Sequence, residues 1–291
     1  MLHALALDGS SPGGRAPVER SPWGRALYEI RRPPIGGRAT GPLPGEPLLR
    51  LAEDLRAHGR RHFGAGAEAA GLATTAGTAD PGTGERLSRA LGGIPVALAD
   101  GVRAAGLAEG RLGAGRPRDR FLFVSVGRTI GGAIGLGGGI EPGAGRAGEI
   151  GHVTVRPGGP PCACGRSGCL ETLASTAAIT RAWRRAGGRP GADALACARA
   201  VEAGDASAAR VWREAVDALA DALITALTIL DPGTLLIGGA LATTGDTLLV
   251  PLREAVTERL TFQRRPVVAA SRLGDTAACL GAALLARDLV T

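Results

Sequence analysis

The stretch from Gly148 to Glu171 reads GEIGHVTVRPGGPPCACGRSGCLE, and it sets His152, Cys162, Cys164 and Cys169 in one short loop between two carboxylates, Glu149 and Glu171. Three of the chain's five cysteines fall between positions 162 and 169. Three thiols and an imidazole are the soft and borderline donors, in the number, that a closed tetrahedral zinc site takes. Gly158, Gly159, Pro160, Pro161 and Gly165 let the backbone double back so that donors close in sequence converge on one ion. The competing reading is a disulfide pair with a third cysteine left over. Cys162 and Cys164 are too close to bridge comfortably, and an odd count argues against a disulfide framework. Four donors leave no position for a metal-bound water, so the metal is read as structural: it would stiffen the loop and fix where Glu149, His152 and Glu171 point.

Outward from this loop, 291 residues are enough for two lobes, each with its own core. Aromatics make up only 3% of the chain, so Ala, Leu, Val and Ile must fill those cores. Every one of the 34 basic residues is arginine, and the formal charge of +7 invites a nucleic-acid reading. The arginines are interleaved with Asp and Glu and have no aromatic partners, which favours a solvated basic surface able to attract anionic substrates such as nucleotides. No apolar run reaches the length of a membrane span, and Met1 to Leu7 runs straight into Asp8, unlike a signal peptide. Free thiols suited to metal binding point to a reducing cytoplasm.

Upstream, His3 to Asp8 has the pattern of a buried strand ended by a carboxylate, and pieces at 16–20 and 26–31 suggest an antiparallel meander with it. Residues 47–63 have helical spacing and 69–75 read as a strand. From Gly84 the chain is expected to pass almost directly to the apolar strand Ile94 to Asp100, which delivers one carboxylate to its C-terminal end ahead of a helix at 102–112. Strand tips are where open α/β sheets place ligands, and Asp at such a junction also caps helices. A strand at 120–126 leads into the glycine turn Gly127-Arg128-Thr129-Ile130-Gly131-Gly132, where amides can approach a phosphate. Downstream, Ala208 to Leu230 carries a helical apolar stripe stopped by Asp231-Pro232-Gly233; Thr234 to Leu241 is a strand running into the diglycine Gly238-Gly239, and helices follow at about 245–260 and 276–289. Cys197 and Cys279 read as small buried hydrophobes.

At its central loop the sequence resembles the ROK family (repressors, open reading frames and kinases), whose hallmark is GExGH followed by CxCGxxGCxE. Both are present without a mismatch, as Gly148-Glu149-Ile150-Gly151-His152 and Cys162 to Glu171. The resemblance runs from about Ile94 to the C-terminus and is most like the glucokinase and N-acetylglucosamine kinase branch. It implies a two-lobed α/β fold of the ribonuclease-H-like, actin and hexokinase type, with lobes at 1–99 and 100–291 and the last helix, about 276–289, packing back on the first lobe. It also implies an ATP-dependent hexose kinase acting on the 6-hydroxyl, with Asp100 as general base and Glu149, His152 and Glu171 holding sugar hydroxyls. Asp8, Gly127, Thr129, Gly131, Gly238 and Gly239 then hold nucleotide and Mg²⁺, and His152, Cys162, Cys164 and Cys169 hold zinc. The partners implied are a hexose and ATP, in a homodimer or homotetramer, with neither nucleic acid nor membrane. The chain departs from the pattern at Pro12, Ala99 and Arg128, and lacks the family's sugar-contacting asparagine segment. Those departures carry an alternative, a catalytically impaired sugar-binding protein or regulator without a DNA-binding domain; the strand at His3 leaves no room for a helix-turn-helix ahead of it.

Overall fold

The apolar runs that read as strands assemble into two sheets. A computed structural model of the chain describes residues 3–8, 19–20, 27–31, 49, 53, 57, 67–74 and 82–291. They cluster into two compact units, one of Met1–Ala108 with Asp275–Thr291 and one of Glu109–Gly274.

In the first unit the sheet order is β2 (Glu19–Arg20), β3 (Leu27–Arg31), β1 (His3–Asp8), β4 (Ala69–Thr74), β5 (Val96–Asp100). β2 and β3 form the expected antiparallel pair, but β3 runs parallel to β1, as do β4 to β1 and β5 to β4. The meander is therefore corrected: residues 9–26 are long enough for the crossover a parallel pair needs. Leu49, Glu53 and Ala57 are helical, in keeping with the periodicity at 47–63. The direct passage from Gly84 to Ile94 is also corrected, since Thr83–Ala90 is a helix, α1. Thr83, Leu87 and Leu91 recur every fourth residue and are buried, which gives this short segment an apolar stripe. Helix α2 (Gly101–Arg111) follows β5 directly. The final helix, α8 (Ala277–Asp288), lies on β4 so closely that a side chain at Gly71 would strike the Ala282 carbonyl, and it shares a small alanine-rich core with Ala69, Ala73 and Ala104.

In the second unit the sheet order is β10 (Val267–Ala270), β9 (Thr234–Gly238), β6 (Arg120–Val126), β7 (Ile130–Leu136), β8 (Gly139–Ile140). β6, β9 and β10 are parallel, and β7 turns back antiparallel on β6. Its helices are α3 (Leu170–Ala174), α4 (Thr176–Arg185), α5 (Ala194–Glu202), α6 (Ala206–Leu230) and α7 (Asp246–Arg259). The stripe on α6, from Val211 and Trp212 to Leu227, is buried against the sheet in the main core with Leu122, Val124, Leu235 and Ile237. Asp231 ends the helix in a left-handed conformation, φ 42°, and its N–H bonds back to Leu227. Among the described residues no helix is long and apolar enough to cross a membrane.

Candidate active site and metal centre

The GExGH segment is shaped by what its glycines rest against. A Cβ at Gly148 would stand 2.1 Å from the Gly132 carbonyl oxygen, and one at Gly151 would stand 2.0 Å from that of Ile130. The segment therefore lies flush on β7, bonded to it by Gly132 N–H donating to the Gly148 carbonyl at 2.7 Å. Between the glycines Ile150 is buried in the core, while Glu149 is exposed and His152 half-buried at the end of a single 3-10 turn, Ile150–His152.

The cysteines follow in a hairpin. Bridges pair Thr154 with Cys169 and Pro161 with Ser167, and Leu170 N–H donates to the Val153 carbonyl at 2.9 Å. The Sγ atoms of Cys162, Cys164 and Cys169 and a ring nitrogen of His152 all lie within 4.8 Å of one another. Cys162 Sγ is 3.5 Å from His152 Nδ1, and Cys164 Sγ is 3.6 Å from Cys169 Sγ. A tetrahedral zinc with bonds of about 2.3 Å to sulfur and about 2.0 Å to nitrogen has edges of roughly 3.5–3.8 Å, so the donor set fits that ion. All five cysteines are free. The backbone N–H of Arg166 is the main influence holding the Cys164 thiol down at about 6, whereas burial pushes the Cys169 thiol up to about 11. Arg166 also donates from its guanidinium to the His152 carbonyl at 2.7 Å, cross-linking the two ends of the loop. Nothing in the sequence singles Arg166 out, because it fills a variable position of the motif.

The remaining candidates of the second unit lie nearby. Glu171 Oε2 accepts the N–H of Ile130 at 3.0 Å, and Gly127 accepts that of Thr176 at 2.9 Å, so the loop and α4 are both fastened to the glycine turn. Gly127 N–H donates to Thr129 and closes the turn, Gly131 sits in the β6–β7 ladder, and Arg128 and Thr129 form the exposed tip. β9 runs beside β6, so its diglycine abuts the same turn: Gly239 has φ 80°, and a Cβ there would come within 2.8 Å of the Val126 backbone. Gly238 packs under the Phe123 ring.

In the first unit Asp100 ends β5 and caps α2, its Oδ1 accepting Val102 N–H at 2.9 Å and Arg103 N–H at 3.2 Å. The backbone of Asp8 ends β1 opposite Ala73, while its side chain and Pro12 lie outside the described residues.

The ROK family model matches residues 82–289. The chain belongs to the ROK family. A glucokinase of Thermotoga maritima is 35% identical to the ROK chain over 214 residues, 68% of this chain and 68% of the relative. A ROK hexokinase from Thermus thermophilus has the same fold at TM-score 0.78 and 33% identity, over 88% of this chain and 90% of that one. A ROK family glucokinase from Streptomyces griseus, solved in complex with glucose and AMPPNP, aligns at TM-score 0.73 and 26% identity over 86% and 90%. The architecture is thus that of the ROK sugar kinases, of the actin and hexokinase type.

Proposed function

We propose that this ROK protein transfers the terminal phosphoryl group of ATP to the 6-hydroxyl of a hexose of the glucose or N-acetylglucosamine type. The observation that carries the reading is the bond from Ile130 N–H to Glu171 Oε2, which joins a loop of sugar-hydroxyl acceptors to a glycine turn suited to phosphate. The activities named for the relatives agree with it.

In this reading Glu149, His152 and Glu171 hold the sugar hydroxyls, His152 through the ring nitrogen that does not face the thiolates. Asp100 takes the proton of the 6-hydroxyl on Oδ2, since both capping bonds fall on Oδ1. The new oxygen–phosphorus bond forms as the bond to the bridging oxygen of ADP breaks, and ADP and the sugar 6-phosphate leave. Thr129 and Gly131 face the phosphates with Arg128 beside them, Gly127 closes their turn, and Gly238 and Gly239 make the adenosine turn. When bound, zinc on His152, Cys162, Cys164 and Cys169 supplies rigidity to the loop, and Mg²⁺, with Asp8 as its carboxylate, neutralises phosphate charge.

A coupled ADP-release assay of zinc-replete protein across glucose, N-acetylglucosamine, mannose and N-acetylmannosamine tests this. Turnover with at least one of them is expected. No turnover with any of the four rules the reading out, and sugar binding without turnover would favour the impaired binder instead.

A further inference from the structure

Arg166 lies in the turn between Cys164 and Cys169, and its exposed side chain reaches back to the other strand of the hairpin. The turn is tight: Gly165 N–H donates to the Cys162 carbonyl at 3.0 Å and Cys162 N–H to the Arg166 carbonyl at 2.7 Å, which fixes the Arg166 backbone beside the thiols. The guanidinium then donates to the His152 carbonyl at 2.7 Å, 14 positions upstream. The charge this bond holds in place acts on all three thiols of the cluster, first on Cys164, which is within hydrogen-bonding reach, and then on Cys169 and Cys162.

The donor set gives a cation something to do there. Zinc held by three thiolates and one neutral imidazole carries one net negative charge, because each thiol gives up its proton on binding. Cys169 is fully buried, and charge taken out of water costs free energy unless an opposite charge offsets it. Cross-linking the hairpin does not by itself require a cation, since an amide or hydroxyl side chain can donate to the same carbonyl. What only a cation adds is compensation for the charge of the loaded site.

We infer that Arg166 is the counter-charge of the metal centre: held over the thiolates by the His152 carbonyl, it raises the affinity of the loop for zinc without being a ligand. The inference rests on the zinc reading of His152, Cys162, Cys164 and Cys169, and not on hexose transfer.

The test titrates zinc into the full chain at fixed pH, in competition with a chromophoric chelator. Arg166→Gln removes the charge and keeps a donor for the carbonyl. Its zinc Kd should be weaker by about tenfold or more at low ionic strength, and that gap should shrink by about threefold or more in 1 M salt, which screens charges beyond about 3 Å. Arg166→Lys restores the charge and should bind zinc within about threefold of the parent. Arg156→Gln makes the same change of charge at another exposed position of the loop and should stay within about twofold. In the cobalt-loaded protein the thiolate-to-metal absorption should be the same for Arg166→Gln as for the parent, because the ligands are untouched. A folded Arg166→Gln protein with zinc Kd within about twofold of the parent overturns the inference. So do a gap that salt leaves unchanged, an Arg166→Lys or Arg156→Gln protein as weak as Arg166→Gln, or loss of the cobalt–thiolate absorption. Should the variants not fold, the unmodified zinc-loaded protein decides: guanidinium protons of Arg166 that exchange with water about tenfold or more slowly than those of Arg156 support the inference, and equal rates overturn it. A parent that binds no zinc overturns it together with the zinc reading, whereas a zinc-loaded parent that turns over no hexose defeats the proposed function alone.

Discussion

At the scale of single residues, the candidate site divides its labour between atoms of one side chain. His152 offers Nδ1 to the thiol cluster and keeps Nε2 for another partner, and Asp100 caps α2 with one oxygen and keeps the second. Asp100→Asn should accordingly retain the cap, because an amide oxygen can accept the same two N–H groups. Its kcat should fall by about 10²- to 10⁴-fold with unchanged sugar affinity by calorimetry. Cys169 is the buried cysteine of the cluster, at the root of the hairpin. Cys169→Ser should purify with less than about a tenth of the parent's zinc, measured by elemental analysis, because a hydroxyl is a poor substitute for a thiolate. The convergence of thiols and imidazole is legible from spacing, since residues 152–169 carry the donors and turn formers together. The buried Glu109 is not, because two of the three N–H groups its carboxylate accepts lie more than 160 positions away, at Arg272 and Leu273.

Among the elements, those read correctly have a pattern that packing reinforces: β5 and α2, β6, and the long α6 each pair an apolar period with a stop signal. β7 was missed because Gly131, Gly132 and Gly135 give it no intrinsic strand preference. Their bareness is a packing demand, since a Cβ at Gly135 would lie 2.1 Å from the Phe121 ring. β10 is only four residues long and α1 only two turns, too short for periodicity to declare them. Two caps give predictions at this scale. Ser175, buried, accepts Ala178 N–H at 3.2 Å and starts α4 beside the glycine turn. Ser175→Ala should cost about 1 kcal/mol, read by denaturant unfolding. Asp205 starts α6, and the N–H of Ala208 first, then the Ser207 hydroxyl, hold its carboxyl below the usual carboxylate range. A depressed folded-state value means a contribution fully present above the unfolded value of about 3.9 and lost as pH falls through the folded one. The stability gap between the parent and Asp205→Asn should therefore close on acidification below about pH 4, followed by thermal unfolding.

For the whole molecule, the loop that carries the four candidate metal donors belongs entirely to the unit Glu109–Gly274. A chelator should thus lower amide protection around the hairpin, β7 and α4, while β4 and α8 keep theirs; equal loss in both sets would show that the loop stabilises more than its own unit. The strands ending at Asp8, Asp100, Val126 and Gly238 were legible from buried apolar runs, whereas the parallel return of β3 to β1 was not, because residues 9–26 give no signal of direction. The first unit is also discontinuous in sequence, since Ala282 of α8 lies on Gly71 of β4. Synthesis runs from the N-terminal side, so the sheet begun by His3 waits for its cover until residues 277–288 emerge, after the middle of the chain has already been free to fold. Nascent chains stalled before residue 277 should for that reason present Ala69, Ala73 and Ala104 to chaperones.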